Sequence, residues 1–339
     1  MYLLPTNEQL ELIAVTNDVL TAHAPAESIR QRRDEPVAVS DHDWRALAEV
    51  GLLGLGLPES AGGVGAGITD EVLVFSEIGR TVAPGPFLPC VVGAHVALAA
   101  EDHELAAAIA AGEQRVGMVV GMPGLALTQG RLTGPAWVVD LPEHGLCVFA
   151  TALGGGDAVG LVRVQDSTVA VAAVDPAVRL ARAEFTDTEL QRAGKGSAVI
   201  LTRMTLLVAA ELAGVARGCS EASAKHAKER EQFGRPIGVN QAIKHACADM
   251  AVRAEAAAAQ VSFAAASCDA GHADTVLNAS AALVVAVDAA QRNAAANLQV
   301  HGGMGFTYEH DAHFYVKRAE RLRLLLGGRT AQLAALVNS

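Results

Sequence analysis

The chain has 339 residues, a formal net charge of −11 and 51% hydrophobic residues. So large an apolar fraction excludes global disorder, and the length predicts two or so domains, or one with subdomains. The acidic balance excludes broad electrostatic binding to nucleic acid or to an anionic membrane, because phosphate charge would go uncompensated.

In chain order, the opening run MYLLPTNEQLELIA has no basic stretch and carries acids early, so no signal peptide is expected. From about Asn7 to Ala111 the pattern is helical, with Asp41 or Asp43 the expected N-cap of a helix through Trp44. Gly51 to Gly65 predicts a buried turn and a glycine loop. Its GxG lacks the strand–helix setting and the third glycine of a dinucleotide fold. Thr69 to Arg80 predicts another helix, and Pro84, Pro86 and Pro89 break the chain before one or two more.

From about Arg115 to Ala183 short Val-rich runs alternate with Gly, Pro and Asp. Val116–Val120, Trp137–Asp140, Leu146–Ala150, Val159–Val164 and Val169–Val174 predict strands of a small antiparallel barrel or sandwich. Gly154-Gly155-Gly156 reads as a hairpin loop among them. From about Ser197 the chain is helical again. Met204–Glu229, Gln241–Ala270, Ala273–Gly302 and Asp311–Val337 predict four long helices in an antiparallel bundle. Their Ala-rich faces favour burial against helices of another subunit. The expected domains are therefore 1–113, 114–195 and 196–339. Five scattered cysteines without a CxxC pair fit reduced thiols in a cytoplasmic protein. No stretch is expected to reach the roughly 18–20 apolar residues of a membrane span; Ala279–Ala290 is interrupted by Asp288.

Two stretches carry chemistry. The first is Arg230-Glu231-Gln232-Phe233-Gly234-Arg235-Pro236, with Gln241 eight residues past the Phe. Gly234 and Pro236 make a turn between two helices. A guanidinium fork for pyrophosphate oxygens, an aromatic face and a side-chain amide then meet at one corner, beside the free N–H groups of a helix start. A capped loop with a solvated Arg is the plainer reading of that stretch alone. The second is Gln299-Val300-His301-Gly302-Gly303-Met304-Gly305-Phe306, where glycines end a helix and let backbone N–H groups approach a phosphate.

Taken with Gly51–Gly65, these motifs make the chain resemble the acyl-CoA dehydrogenase family over nearly its whole length. The resemblance implies a mostly α fold with a small β-domain: an N-terminal helical domain, a middle β-barrel and a C-terminal four-helix bundle. It implies a tetramer built as a dimer of dimers, with FAD bound across subunit interfaces. Arg230, Phe233 and Gln241 would hold the pyrophosphate and adenosine half of an FAD whose flavin lies in a neighbouring subunit. Gln299, Gly302 and Gly303 would complete that cradle. An acyl-CoA is the implied substrate and an electron-transfer flavoprotein the implied electron acceptor.

The chain departs from the family where the proton is taken. The carboxylate that removes the α-proton of the thioester falls, by the resemblance, on Leu326, and in other members on Met204; neither side chain accepts a proton. Glu211 lies seven residues past Met204, about 10 Å along a helix. Glu309 and Glu320 are offset from both places and read as solvated or ion-paired. The polar groups that the family sets near flavin and thioester are missing from Val119–Leu125, and Trp137 reads as a core residue. The resemblance therefore points to the subunit without the catalytic Glu in actinobacterial α2β2 heterotetramers of steroid side-chain β-oxidation, paired with a second, base-bearing dehydrogenase-like subunit. Two alternatives stay open: a self-sufficient enzyme with Glu211 as an unconventional base, or a non-enzymatic scaffold on the same fold. No metal is expected. His310 and His313 could share a helix face, but no third ligand is evident and capping by Asp311 suffices. Lys317, Arg318, Arg321 and Arg323 read as a solvated or interface face.

Overall fold

The structure, a computed structural model, describes residues 3–121, 123–151, 158–164, 168–192 and 196–338. The expected hairpin loop at Gly154–Gly156 lies outside them. The N-terminal third is helical: α1 (Asn7–His23), α2 (Ala26–Gln31), α3 (Asp41–Glu49), α4 (Ile68–Arg80), α5 (Phe87–Ala99) and α6 (His103–Ala110). The α3 cap is Ser40, whose side chain accepts the Asp43 N–H, so the expectation of Asp41 or Asp43 is corrected.

Helix α4 begins with free backbone donors that a distant residue satisfies. The Asp269 carboxylate accepts from Ile68 N at 2.9 Å, Thr69 N at 3.0 Å and Thr69 Oγ1 at 2.7 Å. These bonds span 200 and 201 residues of sequence.

The middle segment holds β1 (Gly117–Gly121), β2 (Ala126–Thr128), β3 (Arg131–Val139), β4 (Leu146–Ala150), β5 (Val159–Arg163), β6 (Val169–Val171), β7 (Leu180–Glu189) and β8 (Gln191–Arg192). They form one sheet in the order β6-β7-β3-β1-β4-β5-β8, with β2 on β3. All-antiparallel pairing is the expectation that needs amending: β1 and β4 run parallel, with Met118 opposite Val148. Ala136 and Val138 face a second core with Phe149, Val162 and Phe185; Trp137 points to the other face and is half-buried.

The last third is α7 (Ser197–Glu229), a two-stranded hairpin of β9 (Glu231–Gln232) and β10 (Arg235–Pro236), then α8 (Gln241–Asp269), α9 (Thr275–His301), α10 (Ala312–Leu324) and α11 (Gly328–Asn338). The expected single helix from Asp311 to Val337 is broken. Leu326 has φ +48° in a short turn between α10 and α11, and burial of Leu325 and Leu326 holds that turn in the core. Helix α7 is also long and apolar enough, by length and composition, to cross a membrane, which the sequence reading did not anticipate; 78% of its most apolar stretch is buried inside the protein.

Helices α4 and α7 cross at backbone contact. A Cβ on Gly79 would collide with the Glu211 carbonyl oxygen, and one on Gly214 with the Ser76 carbonyl oxygen. Carbonyls in opposing helices cannot move aside as flexible side chains can. Gly214→Ala is therefore expected to destabilise the chain by at least about 1–3 kcal/mol. Urea unfolding of the full chain measures this, and an unchanged midpoint would mean that the helices separate freely.

Candidate functional site

The corner between α7, α8 and α9 is an open cleft of about 370 Å³. Its lining includes His226 and Arg230 from the end of α7, Asn240 and Ile243 around the start of α8, and Gln299, His301, Gly302 and Gly303 from the end of α9. Four of the six residues singled out in the sequence thus meet in one cleft: Arg230, Gln299, Gly302 and Gly303. The Arg230 guanidinium is exposed and has no carboxylate partner among the described residues. Gly302 has φ +62° and ψ −146°, a conformation closed to other residue types. A Cβ on Gly302 or Gly303 would meet nothing within 4 Å, so the backbone there fronts open space.

Phe233 and Gln241 are not brought into the cleft lining. Phe233 sits at the tip of the β9–β10 hairpin, whose register pairs Arg235 with Gln232. Phe233 and Gly234, rather than Gly234 and Pro236, form the turn, with φ +54° and +75°. Positive φ strains an aromatic residue by about 1–2 kcal/mol. Phe233 is 99% exposed, so the paired hairpin and not packing of its ring holds that conformation. Gln241 is the first residue of α8, exposed, with Nε2 3.5 Å from His245 Nε2.

Sequence reasoning missed the histidines of this corner. His226, His301 and His310 pack in series as tilted rings, with centroids 4.2 and 4.5 Å apart. His226 stands one helical turn before Arg230, and His301 two residues after Gln299. That spacing sets His226 and His301 beside the two motifs, but nothing local brings His310 to them. His310 and His313 do not share a site. His313 packs instead against Tyr308 and Phe314, at 5.4 and 4.3 Å. Asp311 pairs with Arg30 and makes no side-chain cap. The described residues hold no group of three or more His, Cys, Asp or Glu arranged for a metal.

The second region is the seam between α4, α5, α7, α10 and the sheet. A cavity of only about 30 Å³ remains there, lined among others by Phe87, Met118, Asp140, Glu211, Arg321 and Leu325. That is room for a water or two. A buried ion cluster fills the rest. Arg318, 2% exposed, donates to Glu211 Oε1 at 2.8 Å, Asp175 Oδ2 at 3.3 Å, and the carbonyls of Val82 and Ala83 at 3.1 and 2.9 Å. Arg321 adds Asp175 at 2.9 Å and Glu211 at 3.7 Å. Burial alone would raise the Asp175 carboxyl; Arg318 and Arg321 outweigh it and hold the group below its ordinary value. Burial pushes Asp140 up to about 6, against the Arg179 N–H that it accepts at 2.8 Å. The reading of Arg318 as part of a solvated face is therefore corrected: distant acids draw it inward.

Glu211 Oε1 is bridged by two guanidinium groups in this seam. Leu326 and Met204, the two expected base positions, are 7% and 3% exposed and sit in the apolar core. Glu320 is ion-paired with Arg323 at 2.6 Å. Glu309 is exposed.

Comparison with known proteins follows the same lines. Residues 6–108 match the family described as acyl-CoA dehydrogenase, N-terminal domain, and residues 194–338 match acyl-CoA dehydrogenase, C-terminal domain. The chain is 34% identical over 323 residues to acyl-CoA dehydrogenase IpdE2 of Mycobacterium tuberculosis, spanning 95% of this chain and 94% of that one. Among solved structures it is similar to the ChsE4–ChsE5 complex from Mycobacterium tuberculosis, at 25% identity and TM-score 0.85, covering 100% of this chain and 98% of that one. It is also similar to a variant of the Tcur3481–Tcur3483 steroid ACAD, at 26% identity and TM-score 0.83, covering 98% and 97%.

Proposed function

The chain belongs to the acyl-CoA dehydrogenase family, and from that premise we propose that it is one subunit of a heteromeric, FAD-dependent acyl-CoA dehydrogenase. It lends the pyrophosphate and adenosine side of an FAD site. A second dehydrogenase-like subunit supplies the carboxylate that takes the α-proton. The substrate is an acyl-CoA thioester, and the named steroid ACAD among the similar structures supports a steroid side-chain ester. Both that structure and ChsE4–ChsE5 are named as pairs, which supports the second subunit.

The observation that carries this reading is a contrast within one chain. The cleft at Arg230 is roomy and holds an unpaired guanidinium, while the seam keeps about 30 Å³ and ties up its own Glu. A proton-abstracting carboxylate needs a free oxygen within hydrogen-bond reach of the α-carbon. Glu211 holds two guanidinium groups on Oε1, and the cavity of about 30 Å³ that it lines has no room for a thioester. That disfavours the self-sufficient alternative.

The cleft fits the nucleotide end of FAD by the two glycines that front open space and by the free Arg. Arg230 would clamp the pyrophosphate oxygens with its planar fork. The backbone N–H groups at Gly302 and Gly303 would approach the same oxygens, and the Gln299 amide would pair with the adenosine side. Phe233 and Gln241, on the rim, would contact the neighbouring subunit and the ligand edge. When bound, FAD supplies the hydride acceptor for α,β-dehydrogenation.

The test is flavin content. The chain expressed alone is expected to retain little FAD, and the complex with a Glu-bearing partner about one FAD per pair, read from absorbance. Arg230→Ala in the complex is expected to weaken FAD retention by about 1.5–3 kcal/mol, some tenfold or more. Yellow, active protein from this chain alone would overturn the reading, and so would full flavin retention in the Arg230→Ala complex.

A further inference from the structure

Three histidine rings meet at the Arg230 cleft. They come from α7, the end of α9 and the segment before α10, so only the folded chain assembles them. His226 and His301 line the cleft itself.

Hydrogen bonds decide which rings have a nitrogen to spare. The His301 Nδ1–H donates to the Asn297 carbonyl at 2.8 Å, leaving Nε2 without a proton. His310 Nδ1 accepts the Ala312 N–H at 3.1 Å and is occupied. His310 is not part of the cleft lining, so the rings that would face a bound anion are those of His226 and His301. The charged and titratable neighbours are Glu229 and Arg230 on α7, His245 at the start of α8, His310 in the series, and Asp311, which Arg30 holds. Without an anion these two rings resist a proton. Burial holds His301 down at about 4, helped by His226 and His310 and opposed by the Asn297 carbonyl. Burial, His310 and Arg230 lower His226 as well. A phosphate in the cleft reverses the balance, because a nearby negative charge favours imidazolium.

We propose that His226 and His301 are a proton-taking wall of the nucleotide cleft, so that a pyrophosphate-bearing ligand binds together with a proton drawn from solvent. The inference rests on reading the cleft as a nucleotide site. One N–H bond forms on an imidazole, one proton leaves solvent, and no electron moves. The ligand raises the imidazole value, so affinity increases as pH falls through the window between the bound and the free values. The limiting slope is about tenfold per pH unit for one proton.

The experiment titrates ADP-ribose, whose diester phosphates hold a fixed charge near neutral pH, into the flavin-free complex containing the full chain. Calorimetry in buffers of different ionisation enthalpy counts the protons. The expected result is net proton uptake and binding about tenfold tighter at about pH 5.5 than at about pH 8. His226→Gln, half-buried and so tolerant of change, flattens that slope; His301→Gln flattens it further. ADP-ribose that binds with no proton uptake and no pH dependence overturns this inference while leaving the nucleotide reading intact. A slope kept in both variants does the same. Absence of binding overturns both.

Discussion

Replacing Arg318 with alanine is expected to lower the unfolding free energy by about 3–5 kcal/mol, because it leaves two buried carboxylates without their main cationic partner. Arg318 joins four separate segments: the α4–α5 connection through Val82 and Ala83, the loop at Asp175, α7 at Glu211, and α10 itself. Val82, a β-branched residue, is held at φ +47°, and its carbonyl accepts from Arg318. Removing the guanidinium releases that carbonyl and leaves Asp175 and Glu211 in low dielectric with Arg321 alone. Arg323→Ala is the control. It breaks a partly exposed pair with Glu320 and should change stability by about 0–1 kcal/mol. Urea unfolding of both variants measures the difference; equal losses would show that the cluster does not hold the segments together.

Acid is the second strong lever. His95 and His301 are 10% exposed at the side chain and 7% exposed overall, and burial holds each at about 4 instead of the ordinary 6.5. A base with a lowered value binds its proton more readily when unfolded. Its full contribution is therefore present above pH 6.5 and is lost as pH falls toward 4. Each histidine carries on the order of 3 kcal/mol across that window. Asp140 acts in the opposite sense: its value is raised to about 6, so the folded state gains as pH falls from 6 toward 3.8. Two groups against one leave a net loss between pH 6.5 and 4. Asp175, lowered from 3.8, adds to the loss only at still lower pH. Denaturant titrations from neutral pH downward should show stability falling through this range, and falling more steeply in Asp140→Asn. Stability that is flat or rising down to about pH 4.5 would refute the sign.

The main elements could be read in advance wherever the local pattern was strong. The runs Leu146–Ala150 and Val159–Val164 became β4 and β5, and Gln241–Ala270 became α8 almost to the residue. What escaped was set by tertiary contact. The break at Leu326 is the exception: Gly327 and Gly328 follow it at φ +86° and +71°, a glycine pair that could have signalled the helix stop. The Lys317–Arg323 run looks solvated on its own. The acids that bury Arg318 lie 107 and 143 residues away. In the cleft, the Arg and glycine motifs were visible because their spacing is local. The histidine cluster was not, because its rings meet across three segments.

The cap on α4 sets an order in time. The helix that crosses α7 at Gly79 begins with three donors that only Asp269 satisfies. During synthesis at about 5–20 residues per second, Asp269 leaves the ribosome about 10–40 s after Thr69. For that interval those three donors face water, and only the local Asp70 contact to Gly67 N caps the helix start. A nascent chain stalled before Asp269 therefore lacks this long-range cap, and its α4 start is expected to be cut faster by a protease than that of the full chain.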